Sequence, residues 1–198
     1  EPLGAHVRTL RIPDLGLDPR PEAEVCAETL AELDAAIASL QEAGFGVSAS
    51  LFDPLFSTEG MPRVPAGLAA GIVQRVRAAG GLVIADEVQS GFGRTGSHMW
   101  GHRYAGMDPD LVTLGKPMGN GHPMSAVVTT EAIQTAFGSR NEFFNTFAGN
   151  PVSAAVGEAV LMEMDEKGLM ARASGVGAAA LAKFEEFAGR YDFIRSAK

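Results

Sequence analysis

Cysteine is nearly absent from this chain of 198 residues, and its single thiol, Cys26, excludes an intramolecular disulfide. Such sparse use fits a reducing compartment, read here as the cytoplasm. Basic residues are also in the minority: 16 Lys and Arg against 24 Asp and Glu leave a net charge of −8 at pH 7, with no basic block. That balance argues against nucleic acid or an anionic membrane surface as a partner. No run approaches the roughly 20 apolar residues that cross a bilayer. The opening Glu1-Pro2-Leu3-Gly4 has neither the charged nor the apolar region of a secretory leader, and it lacks an initiating Met. Small metabolites remain as partners, and a chain that is 46% hydrophobic can bury a core in one or two domains.

Residues 1–20 carry Pro2, Pro13, Gly16 and Pro19 among scattered apolar positions and read as an irregular lead-in. From Pro21 to Ala43, Val25, Leu30, Leu33, Ile37 and Leu40 recur at helical spacing between acids, which predicts an amphipathic helix begun by Pro21 and stopped by Gly44. Cys26 is expected to pack at its edge. Val47 to Phe52 reads as a short buried strand ended by Asp53-Pro54. A second helix is expected from Pro65 to Ala79, and Gly80-Gly81 then feeds the strand Leu82 to Ala85. Strands Leu111 to Leu114 and Ser125 to Thr130 follow, then helices at Glu131 to Phe137, Pro151 to Glu166 and about Leu169 to Gly189. The alternation predicts an α/β fold with a mostly parallel sheet flanked by helices.

The chemistry gathers where two of these strands end. Asp86 follows the strand Leu82 to Ala85, and Lys116 follows the strand Leu111 to Leu114. In open α/β sheets, ligands bind at the carboxyl ends of the strands. An acid and an amine there can hold a positive charge and form an imine, respectively, and burial of the lysine would ease that reaction by disfavouring its charged form. Other readings compete with this one. Gly91-Phe92-Gly93-Arg94-Thr95-Gly96 matches a dinucleotide-binding pattern, but Asp86 to Ser90 separate it from the strand and no small-residue helix follows. These glycines are expected to let the loop turn tightly. Gly115-Lys116 fails as a phosphate-binding loop because Asp110 and Pro117 occupy the positions of a required glycine and hydroxyl. His98 and His102 have the four-residue spacing of zinc ligands, yet Met99 follows His98 and no third ligand is evident, so both read as surface or loop residues. Asp86 also suits a helix cap or a metal ligand, and Asn145-Thr146 suits a cap for the helix at Pro151.

Three stretches together resemble a known family. Ala85-Asp86-Glu87-Val88-Gln89-Ser90-Gly91-Phe92-Gly93-Arg94-Thr95-Gly96, Thr113-Leu114-Gly115-Lys116-Pro117-Met118-Gly119-Asn120-Gly121 and Asn145-Thr146-Phe147-Ala148-Gly149-Asn150-Pro151 resemble, in order and spacing, the central motifs of class III aminotransferases, which depend on pyridoxal 5'-phosphate (PLP). The resemblance implies the large domain of a fold type I PLP enzyme, with Lys116 forming the Schiff base and Asp86 pairing with the pyridine nitrogen. It implies that Val88 packs on a ring face, that Gln89 lies near the phenolic oxygen, and that Thr146 binds the cofactor phosphate of a neighbouring subunit, which calls for a homodimer. The acid before Pro54 is usually glutamate in the family, so Asp53 departs from its pattern near the loop that carries Phe56, Ser57 and Glu59.

The phosphate-cradling loop and the stacking aromatic that the family carries upstream are missing from these residues. Residues 1–198 are therefore expected to be a partial PLP-binding large domain, without the small C-terminal domain, and with residues 21–198 as its αβ core and following helices. The expected reaction is transfer of an amino group from an amine donor to a keto acid or aldehyde. The alternatives are a phospho-lyase acting on an amino-alcohol phosphate, which uses the same lysine, and a silent piece that only self-associates.

Overall fold

A computed structural model describes residues 3–194. Along the chain come α1 (Glu22–Glu42), β1 (Ala49–Phe52), α2 (Leu68–Ala78), β2 (Leu82–Asp86), α3 (Gly101–Tyr104), β3 (Leu111–Leu114), β4 (Ala126–Thr129), α4 (Glu131–Gly138), α5 (Pro151–Glu166) and α6 (Leu169–Arg190). No helix or strand occurs in residues 3–20. Pro21 precedes the first turn of α1, and Gly44, at φ 79°, turns the chain out of it. The second helix starts later than its pattern predicts, at Leu68 instead of Pro65. Gly67 in front of it is left-handed, at φ 79°, and breaks the run that the proline would have begun.

The four strands lie in the order β1-β2-β3-β4. The first three are parallel, and β4 runs antiparallel to β3, so the sheet is mixed with a parallel majority. Its register sets Asp86 opposite Thr113, with Ile84 opposite Leu111 two residues earlier. Because side chains alternate along a strand, Val83 and Ala85 of β2 face one side while Leu82, Ile84 and Asp86 face the other.

The first of these sides is the core. Leu68, Ile72, Val73 and Val76, one face of α2, pack on Val83, Ala85 and Met107. Cys26, Leu30 and Leu33 of α1 close over them, which confirms the packing role expected of the thiol. Each buried aliphatic side chain contributes roughly 1.5–3 kcal/mol. The opposite side of the sheet is open among the described residues, with Leu51 63% and Val127 62% exposed.

One carboxylate locks the register. Asp110 accepts hydrogen bonds from the Val83 N–H at 2.8 Å and from Arg77, on the last turn of α2, at 2.9 Å, while its own N–H donates to the Val83 carbonyl at 2.8 Å. Burial by itself raises the Asp110 pKa. The hydrogen bonds from Arg77 and the Val83 N–H, together with the guanidinium charge, outweigh burial and hold the carboxyl below its usual range.

Candidate active site

Asp86 is the last residue of β2, half-buried, with its side chain on the open side of the sheet. Its Oδ1 accepts from the Val88 N–H at 3.0 Å and from Thr113 Oγ1, across the β2–β3 pair, at 3.2 Å. The first bond is that of a local turn cap, so part of the capping alternative is realised. Among the described residues, no donor reaches Oδ2.

Lys116 lies two residues beyond β3. Its amine was expected to be buried, but the side chain is exposed and, among the described residues, makes no hydrogen bond or ion pair. The physical reason is its place in the chain: Lys116 opens a 3₁₀ turn (Lys116–Gly119) beyond Leu114, outside the layer that α2 and the sheet enclose. Its backbone is at φ 23°, on the left-handed side where a residue with a side chain is strained, and such conformations cost roughly 1–3 kcal/mol and cluster at functional sites. The loop braces itself through the Met118 N–H to the Gly115 carbonyl at 2.9 Å and the His122 N–H to the Gly119 carbonyl at 2.9 Å.

Val88 meets this loop directly. A Cβ placed on Gly115 would lie 3.4 Å from a Val88 methyl, so the absent side chain lets Val88 rest against the backbone just before Lys116. Gln89 is half-buried beside it. The structure thus brings Asp86, Val88, Gln89 and Lys116 to one end of adjacent strands. Thr146 is exposed on the segment before α5, and no described contact joins it to the other four. The α5 cap is Asn150, which accepts from the Ser153 N–H at 2.9 Å, so Thr146 does not fill that alternative role.

A link between the lysine loop and α5 was not legible. His122 Nε2 lies 2.8 Å from Ser153 Oγ, and Asn150 Nδ2 donates to the same oxygen at 2.9 Å and to the Phe147 carbonyl at 2.7 Å. This chain of bonds ties the segment carrying Thr146 to the loop carrying Lys116.

Other expectations need addition or correction. The glycines of residues 91–96 do turn the loop tightly, with Gly93 at φ 70° and Gly96 at φ 73° and the Gly96 N–H bonded to the Gly93 carbonyl at 2.9 Å, and they also allow close packing that was not foreseen: a Cβ on Gly93 would fall 2.7 Å from Met170, and one on Gly96 2.5 Å from Ser174 Oγ, both on α6. His102 is buried, whereas His98 stays exposed beside Ser97. The fully buried Glu87 accepts four hydrogen bonds, two of them from His102, and it was overlooked although the alternation Val83, Ala85, Glu87 puts an acid on the buried side. Asp53 accepts from the Leu55 and Ser57 N–H groups, both at 2.9 Å, and so closes its own turn. Phe56 is buried and stacked on Phe52 at 5.8 Å, so it serves packing. Two clefts flank the lysine loop, one between Phe92, Pro117 and α6, the other between His122, Asn145 and Ser153; neither is lined by Lys116 or Asp86.

Comparison with known proteins places the chain in a family. The model of the family "Aminotransferase class-III" matches residues 2–198. A Drosophila melanogaster protein named alanine–glyoxylate aminotransferase 2-like is 43% identical over 83% of this chain and 31% of its own length. A Caenorhabditis elegans protein named ethanolamine-phosphate phospho-lyase homolog 1 is 41% identical over 67% of this chain and 29% of its own. The chain thus spans about a third of the length of the curated relatives it matches. Among solved structures, a phospholyase from Arthrobacter in complex with phosphoethanolamine is 60% identical, with a TM-score of 0.92 over 96% of this chain and 45% of that one. A PLP-bound amine transaminase from an uncultivated Pseudomonas species is 30% identical, with a TM-score of 0.81 over 92% and 43%. The fold is that of the fold type I PLP enzymes, and the chain belongs to the class III aminotransferase family, whose cofactor is pyridoxal phosphate.

Proposed function

We propose that residues 1–198 form part of the cofactor-binding large domain of an aminotransferase, with Lys116 and Asp86 as catalytic residues. The observation that carries this reading is the β2–β3 register. It sets Asp86 opposite Thr113 and places Lys116 three residues further on, at the carboxyl ends of two parallel strands. The groups present suit pyridoxal phosphate: among the described residues Asp86 Oδ2 has no donor and can take a protonated ring nitrogen, and the Lys116 amine has no competing partner.

When bound, the cofactor supplies an electron sink for the pair left on the substrate carbon after deprotonation. Asp86 keeps the ring nitrogen protonated. Val88 and Gln89 present an apolar wall and an amide to the ring and its phenolic oxygen. Lys116 would attach the cofactor through Nζ and, once freed by an incoming amine, would hold and move a proton at that nitrogen. The reaction these residues would serve is transfer of the amino group from an amine donor to a keto acid or aldehyde. Thr146 holds the phosphate of a partner copy. The exposed Phe144, at 81%, and the open sheet side with Leu51 and Val127 support burial against a second copy, hence a homodimer. The lone Cys26 supports a cytoplasmic location.

One observation favours a second reading. Identity to the Arthrobacter phospholyase is 60%, twice the 30% shared with the Pseudomonas amine transaminase. In that reading the same residues eliminate phosphate from an amino-alcohol phosphate. Release of ammonia and inorganic phosphate marks the lyase; a keto acid formed from an amine donor marks transfer.

The assignment is tested by incubating the intact protein that contains this chain with PLP, reducing with borohydride and mapping the added mass. A pyridoxyl group on Lys116, and its loss in Lys116→Ala, is the expected result. Labels scattered over other lysines, or none, refute it.

A further inference from the structure

Glu87 is the one charged side chain among the described residues with no exposed surface, and the chemistry above does not use it. Four donors converge on its two oxygens. Oε2 accepts from Ser90 Oγ and the Gly101 N–H, both at 2.8 Å, and Oε1 accepts from the His102 N–H and His102 Nδ1, both at 2.7 Å. All four lone pairs of the carboxylate are engaged. Two of the donors are the leading amides of α3, a one-turn helix that could not hold its place alone.

The same residue anchors the turn that carries the proposed cofactor contacts. The Glu87 N–H donates to the Thr113 carbonyl at 2.9 Å and so continues the ladder beyond Asp86, while its carbonyl accepts from the Gly91 N–H at 3.0 Å. Asp86, Val88 and Gln89 lie on this turn, and Val88 rests on Gly115 beside Lys116. There is no slack around the anchor: a Cβ on Gly101 would stand 2.5 Å from the Ser90 Cβ and 3.3 Å from Glu87 Oε2.

We propose that Glu87, with His102 as its buried donor, is a positioning residue that pins the Asp86–Gln89 turn to α3 and thereby aims Asp86 and Val88 at the cofactor ring. The inference rests on the PLP reading of Lys116 and Asp86. Its mechanism is donor satisfaction. In Glu87→Gln, either orientation of the amide turns an NH₂ toward a backbone N–H, that of Gly101 or that of His102, and the turn must shift. At His102, an asparagine can present Nδ2 where the imidazole presents Nδ1, whereas a leucine fills the space without a donor.

The test measures PLP affinity and the visible band of the reduced-in-place and unreduced adducts in the intact protein, together with thermal unfolding and the emission of Trp100, taken as the difference from a Trp100→Phe control. Trp100, which precedes α3 and packs edge-on to Phe92 at 5.3 Å, reports on the anchor without cofactor. Expected are normal affinity and band for His102→Asn. For His102→Leu and Glu87→Gln, PLP binds about tenfold more weakly, the low end of what loss of a hydrogen-bonded support costs a bound metal, with a shifted band and altered Trp100 emission. Should Glu87→Gln fail to fold, the His102 pair decides. Lower thermal stability in His102→Leu with unchanged PLP affinity and band overturns the inference, as does equal weakening in His102→Asn and His102→Leu. If the unsubstituted protein gives no adduct on Lys116, the cofactor reading falls and this inference with it; if all variants keep the adduct at normal affinity, only this inference falls.

Discussion

Replacing Asp110 by asparagine isolates the charge that holds β2, β3 and α2 in register. The amide oxygen, placed at Oδ2, can still accept from the Val83 N–H and at 3.4 Å from Arg77 Nε, so the ladder bond is kept, but the NH₂ at the Oδ1 position then faces Arg77, where the 2.9 Å bond and the negative charge are lost. Hydrogen bonds to charged groups contribute roughly 1.5–3 kcal/mol each where buried. Here the loss is smaller, because the Arg77 side chain is 39% exposed and keeps its bonds to Asp108. A cost of about 1–2 kcal/mol is expected after solvent screening, which for a chain of this size lowers the melting temperature by roughly 2–8 °C. The pH dependence has a definite sign. The folded-state pKa of Asp110 lies below its unfolded value, so its stabilisation is complete above the unfolded pKa of about 3.9 and fades as pH falls through the folded value. Thermal unfolding of both proteins from pH 7 down to pH 3 should show the gap between them narrowing below about pH 4. A gap that stays constant across that range, or no gap at pH 7, refutes the argument.

Gly96→Ala should destabilise the packing of the glycine loop on α6. The new methyl would lie 2.5 Å from Ser174 Oγ and 2.7 Å from its backbone nitrogen, at a residue with φ 73°, and urea unfolding should show a loss of about 2–4 kcal/mol; full stability would mean that α6 can move away freely. Sedimentation of the intact protein with PLP should give a dimer, with Phe144→Ser shifting it toward monomer. A monomer at high concentration would remove the partner's Thr146 from the proposed phosphate site.

The helices and strands were readable because their patterns are local. The runs Leu111–Leu114 and Pro151–Glu166 match the structure residue for residue, since an apolar run bounded by turn residues and a helix led by proline are complete signals in themselves. The short α3 was missed because Gly101–Tyr104 has no propensity to fold alone; it forms on the carboxylate of Glu87, fourteen residues earlier. The late start of α2 turned on the left-handed Gly67, a conformation that periodicity does not encode.

What the sequence by itself determined is the family and the order of the motifs, because these depend on residue type and spacing along one chain. Tertiary structure alone decided how the groups meet. The register that sets Asp86 against Thr113, the closeness of Val88 to Gly115, the bond from His122 to Ser153 and the donors of Gly101 and His102 at Glu87 join residues 14 to 31 positions apart. Whether such contacts form depends on how strands pair and where glycine leaves room, and on which polar groups the fold removes from water. The same folding left Lys116 exposed and His102 buried, reversing both expectations, since burial follows from the layer a residue occupies and not from its neighbours in sequence.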